Sequence, residues 1–333
     1  MKENIEQRLD DLREEARRNG AVAGRGVDIS GGPIPRQPRQ GKAPGYFGEG
    51  VVRPPVWTWE IPLYFFVGGM AGMAASVGCA AWMFGQPAIA AAAFWIAASG
   101  AMISPVLLIM DLGRPRLFLH MLRVFKIRSP MSVGAWVLSA FGAHAVPGAI
   151  LFELFERHSL SGLLQELVFV ATILAVAGAA FWGLLLATYT GVLLGATVIP
   201  AWFLHRATLP VHFGIVGLGS AAGSLELLGY RNPALAALGY FCAGVELILW
   251  LLLECSRHGA ADRAVHSGVT GWMVRGADLC TGPIALGLRL AGLMPVAAVV
   301  FMAGGLLSRF GWIEAGRASG KDPEAVFASQ GAG

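Results

Sequence analysis

Charged residues in this chain fall in blocks separated by long apolar runs. From Ile61 to Met110, fifty consecutive positions hold no Lys, Arg, Asp or Glu. One membrane-crossing helix needs about 20 apolar residues, so this run predicts two helices, 61–84 and 88–110, parted by Gly85-Gln86-Pro87. Further spans are predicted at 131–154, 165–190, 209–228 and 233–254. The charge-free stretch 167–204 exceeds one span, and its Thr188-Tyr189-Thr190-Gly191 and Ile199-Pro200 predict a bent or broken exit from the fourth helix. The polar segment 255–277 reads as interfacial. The apolar stretch 279–312, with Arg289 and Pro295 in it, reads as two short helices. The fold class is therefore an all-α polytopic transmembrane bundle of about eight helices. Seven remains open, if 279–291 lies on the membrane.

Upstream of these runs, residues 1–55 form a soluble basic arm. Its first part alternates acidic and basic residues, as in a surface helix, and 19–55 is rich in Gly, Pro and Arg, too poor in apolar residues for a core. The organisation is thus an arm at 1–55, a bundle at 56–312 and a tail at 313–333. No cleavable signal peptide is visible in Met1–Gly20.

Composition agrees with a lipid-solvated chain. The protein is 55% hydrophobic and 14% charged, with a mean hydropathy of +0.60, against roughly 25% charged for soluble domains. The small residues Gly68, Gly72 and Ser76 recur every fourth position, a stripe suited to close helix packing. Cys79, Cys242, Cys255 and Cys280 show no C-x-x-C spacing, so neither an iron–sulfur cluster nor a structural metal site is expected. With alternating helices, 22 of the 25 Lys and Arg fall on one side. The positive-inside rule then puts both termini and the Asp111 loop in the cytoplasm.

Several stretches share a specific vocabulary. Trp57-Thr58-Trp59-Glu60-Ile61-Pro62 opens the first helix, Asp111-Leu112-Gly113-Arg114-Pro115 follows the second, and Arg128-Ser129-Pro130-Met131-Ser132 leads into the third. Tyr189-Thr190-Gly191 ends the fourth. Over roughly 57–315 the sequence resembles the NrfD/PsrC family, the polysulfide-reductase-type membrane anchors of respiratory molybdoenzymes. The resemblance implies a multi-pass subunit of a bacterial or archaeal cytoplasmic membrane with no haem or iron–sulfur cluster of its own. It implies a quinone, menaquinone or ubiquinone, bound near the surface where a ferredoxin-like iron–sulfur subunit docks. That partner would connect to a molybdopterin oxidoreductase, such as formate dehydrogenase, or to a hydrogenase. Such a protein is one part of an oxidoreductase and inactive alone. Its other neighbour is lipid, and nucleic acid is not an expected partner. The shortened last hairpin and the long basic arm depart from the family pattern.

Quinone chemistry needs an apolar slot, polar groups at the carbonyl oxygens and a proton supply. Glu60, Tyr64, Asp111, Arg114, His120 and Tyr189 all fall at one membrane face and are the candidate quinone contacts; His205 and His212 fall there too. Glu60 and Tyr64, one helical turn apart, are also candidate proton donors, although a helix-start carboxylate and an interfacial tyrosine equally serve as anchors. Asp111 and Arg114 read equally well as a structural pair fixing the loop. Glu246 stands in mid-helix and is the third candidate for proton transfer, with Arg289 as its candidate charged partner. A secondary transporter using Glu246 is a rival, although no internal repeat supports it. A haem-b anchor is another, weakened because only His144 and His212 lie clearly within spans. A plain assembly scaffold would explain the loop but not the polar convergence.

Overall fold

The computed structural model describes residues 52–111, 118, 122–123, 125–157, 161–256 and 259–330. The Arg114 and His120 candidates, and the arm up to 51, lie outside the described residues.

The two helices expected in the first apolar run are α1 (Glu60–Met83) and α2 (Pro87–Asp111). Gly85 turns the chain between them at φ 69°, a conformation that favours glycine, and Pro87 then opens α2. α3 (Pro130–Arg157) and α4 (Leu163–Gly195) complete a first group. The short α5 (Pro200–Leu204) leads into α6 (Thr208–Leu227), and α7 (Pro233–Cys255) starts at an Asn232 cap whose side chain accepts from the Ala234 N–H at 2.8 Å. The last long helix, α11, runs from Met294 past residue 312 to Lys321, and α12 (Pro323–Gln330) follows.

Among the described residues, seven helices are long and apolar enough to cross a membrane: α1, α2, α3, α4, α6, α7 and α11. The protein is a multi-pass membrane protein. An eighth stretch is continuous but composite: α9 (Gly268–Leu279), a π turn at Cys280–Ile284 and α10 (Ala285–Leu290). It carries Arg275, Asp278 and Arg289, and charged residues of this kind made 255–277 read as interfacial. Before it come a 3-10 turn (Gly259–Asp262) and the one-turn α8 (Arg263–His266).

Two expectations need correcting. α4 does not break at Thr188–Gly191 but continues to Gly195, and the chain bends only before Pro200. The Thr188 hydroxyl donates back to the Leu184 carbonyl at 3.0 Å, which keeps it inside the helix. Gly191 lets the start of α6 approach: a Cβ there would lie 2.5 Å from the Pro210 nitrogen. The stretch 279–312 is likewise not two short helices, because its second half belongs to the 28-residue α11.

α1 lies at the centre and touches α2, α4, α6 and α11. Its small-residue stripe does pack closely. A Cβ on Gly72 would sit 2.2 Å from the Gly183 carbonyl oxygen of α4, and Ser76 donates to the Ala180 carbonyl at 3.4 Å. The two groups of helices meet at the Asp111 end through rings. Trp57 stacks on Trp202 at 5.7 Å, and the Trp202 indole donates to the Trp312 carbonyl at 2.7 Å.

Candidate functional site

At the Asp111 end, the segment before α1 reaches the last residue of α2. The Thr58 N–H and hydroxyl both meet Asp111 Oδ1, at 2.9 and 2.8 Å. The Thr58 hydroxyl also contacts Glu60 Oε2. Thr58 thus joins the two candidate carboxylates, a role no local sequence signal announced. One turn below Glu60, Tyr64 is buried against Phe65, with ring centroids 5.5 Å apart. The Tyr64 ring and the Leu186 side chain of α4, three residues before Tyr189, both meet the position of a Gly68 Cβ, at 3.5 and 3.7 Å. The Tyr189 hydroxyl donates to the Pro130 carbonyl at 2.5 Å, and its ring fills the space left by Gly134, where a Cβ would overlap it at 2.1 Å.

Among the described residues, the buried hydroxyls of Ser104 and of Thr190, the residue after Tyr189, have no hydrogen-bond partner. The position of a Gly68 Cβ lies 3.4 Å from Ser104 Oγ and 3.5 Å from the Tyr64 ring, so the two line one space. Leaving a buried polar group unpaired costs about 1–3 kcal/mol, so these hydroxyls are suited to meet a polar ligand. The structure therefore brings together Glu60, Tyr64, Asp111 and Tyr189 around one end of α1.

Glu246 belongs elsewhere. It is 2% exposed, on α7. His212 donates from Nδ1 to Glu246 Oε2 at 2.7 Å, and the Ser308 hydroxyl meets His212 Nε2 at 2.6 Å. The π turn presents the Thr281 hydroxyl to the same carboxylate at 3.4 Å. Rings separate this group from Tyr64: Phe65 and Phe213 stand 6.4 Å apart, and Phe213 lies 5.7 Å from His212.

Arg289 is not the partner of Glu246. It pairs with Glu226 through both terminal nitrogens, at 2.9 and 2.8 Å. The physical reason is depth. Glu246 lies in mid-helix, whereas Arg289 stands near the end of α10 at the level of the last turn of α6, where Glu226 waits. Gly239 makes room for it, since a Cβ there would lie 2.0 Å from the guanidinium carbon. Arg309, one of the basic residues counted on the cytoplasmic side from sequence, is fully buried in α11. It donates to the Phe213 carbonyl at 2.9 Å and lies 3.6 Å from the centre of that ring.

The two histidines within spans, His144 and His212, stand in different groups of helices. His144 donates to the Ala140 carbonyl at 2.8 Å and packs on α4 at Gly178, while both ring nitrogens of His212 are engaged in the other group of helices.

A buried carboxylate missed from sequence lies at the Asp111 end of the second group. Asp262 accepts from His205 Nε2 at 2.9 Å and from His266 Nε2 at 2.8 Å. Burial pushes the Asp262 carboxyl up, but the hydrogen bonds and charges of His205 and His266 outweigh it and hold the group below its ordinary value of 3.8. A depressed carboxyl stabilises the fold fully above that ordinary value and loses the contribution as pH falls through the folded one. Asp262→Asn should therefore melt below the native protein at about pH 6, with the gap closing by about pH 2. A gap that widens on acidification would reverse the assignment.

Between His205 and His212 lies a cavity of about 160 Å³, also lined by Thr208, Trp250, Asp278 and Trp312.

Comparison with known proteins agrees with this architecture. The protein is similar to the C subunit of the polysulfide reductase of Wolinella succinogenes, at 26% identity over 79% of the present sequence and 94% of the relative. The sequence profile of a family described as "Polysulphide reductase, NrfD" matches residues 50–232, which hold α1 to α4, α6 and the cluster around Glu60, Tyr64, Asp111 and Tyr189. With more than half of its length so matched, the chain belongs to the NrfD family.

Proposed function

We propose that this protein is the quinone-reactive membrane subunit of a respiratory reductase complex, exchanging electrons with a docked ferredoxin-like iron–sulfur subunit. That subunit in turn serves a molybdopterin oxidoreductase or a hydrogenase. The observation that carries the reading is the Asp111 end: two carboxylates joined by Thr58 stand above two buried tyrosines, beside two unpartnered hydroxyls. The family membership and the relative's name support the same class of complex.

A bound quinone supplies two-electron chemistry coupled to two protons. The protein's own residues do the rest. Tyr64 and Ser104 bind the headgroup, and Tyr189 joins them by turning its hydroxyl from the Pro130 carbonyl. Glu60 exchanges protons with water through Thr58 and Asp111. Arg114 and His120, proposed from the sequence as further quinone contacts, lie outside the described residues. Glu246 is the third proton-handling group, in the other half of the bundle. The family membership supports a bacterial or archaeal cytoplasmic membrane, and the excess of basic residues on the Asp111 side supports that end, the N-terminus and the docked partner facing the cytoplasm.

The test is turnover of the purified complex with a short-chain quinol, alongside a soluble dye that exchanges electrons with the catalytic subunit directly. General acid–base groups contribute about 10²–10⁴-fold, so Tyr64→Phe and Glu60→Gln should each lower quinone turnover at least tenfold. Dye activity should stay within about twofold. Unchanged quinone turnover in both variants would sink the proposal.

A further inference from the structure

The cavity of about 160 Å³ in the second group of helices is walled by Leu204, Leu209, Leu249, Leu252 and Leu253. Its rim includes Thr208 at the start of α6, with Leu252 and Ser256 at the end of α7, and all three are exposed. An exposed leucine on a span faces lipid, so the cavity opens toward the bilayer near the Asp111 end of both helices. Apolar walls exclude water, and an apolar cavity of about 150 Å³ holds a benzene-sized group.

Several polar groups of the lining are already engaged. His205 Nε2 meets Asp262, the Thr208 hydroxyl donates to the His205 carbonyl at 3.2 Å, and Glu246 and Ser308 take both nitrogens of His212. Two donors are left over. The buried indole N–H groups of Trp250 and Trp312, both on the lining, meet no acceptor among the described residues. Trp312 is 4% exposed, so bulk solvent does not satisfy its N–H. An indole N–H only donates, so an occupant must bring an acceptor. Asp278, also buried on the lining, decides the charge of that acceptor. Its carboxyl repels a phosphate or carboxylate head at short range in a medium of low dielectric. A neutral oxygen on an apolar body is what fits.

We propose that this cavity binds a membrane amphiphile by a neutral carbonyl oxygen, which accepts from the indoles of Trp250 and Trp312 while the leucines enclose its apolar body. The bilayer offers that group in two forms, the ester carbonyl of a glycerolipid and the ring carbonyl of a quinone. Either enters from the lipid side, between α6 and α7. The site is separate from the tyrosines at the start of α1, with the rings of Phe65 and Phe213 between them. It takes nothing from the functional reading. Occupancy joins α7, which carries Trp250, to α11, which carries Trp312.

The test is native mass spectrometry of the whole complex, washed exhaustively in a maltoside detergent, which carries no carbonyl. The native complex should retain one amphiphile whose presence depends on Leu253, and its mass tells a glycerolipid from a quinone. Filling the cavity with Leu253→Trp should lower that retained species at least tenfold. Where Leu253→Trp prevents assembly, Leu253→Phe serves. Trp250→Phe/Trp312→Phe should lower it at least tenfold too, because the rings stay while both donors go. The Trp312 carbonyl that accepts from Trp202 is untouched by that change. Leu251→Trp, on the exposed face of α7 and outside the lining, should retain the ligand as the native complex does. Equal retention in the native complex and the filled cavity would overturn the proposal. So would full retention without the two indoles, equal loss from Leu251→Trp, or retention of maltoside alone. Quinol turnover reports the functional reading separately.

Discussion

Arg289→Met should lower the stability of the bundle by about 3–5 kcal/mol, the cost of leaving one member of a buried ion pair alone. Arg289 is 1% exposed, Glu226 stands in the last turn of α6, and the two meet through parallel bonds of 2.9 and 2.8 Å. Without the guanidinium, Glu226 must bury its charge or take up a proton. The double variant Glu226→Gln/Arg289→Met removes that demand and should recover at least half of the loss, because a buried pair adds little over a neutral substitute of similar shape. Unfolding of the purified protein from mixed micelles by a denaturing detergent measures both. A single variant as stable as the native protein would mean that water already solvates the pair. A double variant no better than the single would place the loss in packing, including the space that Gly239 reserves for the side chain.

Gly72→Leu should be more damaging and should abolish accumulation of folded protein. A Cβ on Gly72 meets the Gly183 carbonyl oxygen at 2.2 Å, and a Cβ on Gly183 meets the Gly72 oxygen at 2.4 Å. Overpacking against a side chain costs about 1–3 kcal/mol. Here the obstacle is backbone, so α1 and α4 must separate and the loss should exceed that range. Gly72→Ala should show the same defect in milder form, at least about 3 kcal/mol. The control is Gly244→Ala on α7, which has nothing within 4 Å and should be neutral or gain up to about 1 kcal/mol from helix propensity. Equal behaviour of the Gly72 and Gly244 variants would refute the packing account.

The spans most legible in the sequence were those defined by silence of charge. α1, α2, α3, α6 and α7 lie within a few residues of their expected bounds because lipid admits little else. The composite stretch Gly268–Leu290 was illegible for the converse reason. Its two arginines are neutralised by distant partners: Arg275 by Glu254 at 2.6 Å and Arg289 by Glu226. Local hydropathy does not record a partner 63 residues away. The same limit shaped the candidate site. Glu60 and Tyr64 shared a face by helical arithmetic alone. Thr58 and Asp111 are 53 residues apart, and His212 and Glu246 are 34 apart. Nothing in the spacing joined either pair. Arg309 was counted with the basic residues of the cytoplasmic side because it stands near the end of an apolar run, whereas α11 continues about three turns beyond it.

The ring contacts between the two helix groups also impose an order in time. Translation delivers the polypeptide from its N-terminus at about 5–20 residues per second. Trp57 therefore leaves the ribosome well before Trp202, the ring it stacks on. The Trp202 indole then waits another 110 residues for the Trp312 carbonyl, about 5–20 s at that rate. During the interval, the first helices can pack, while the half that holds the cavity stands open to the insertion machinery and to lipid. The cavity's last wall arrives with Trp312, so a truncation or ribosomal stall before that residue leaves the N-terminal tryptophan stack without its closing bond.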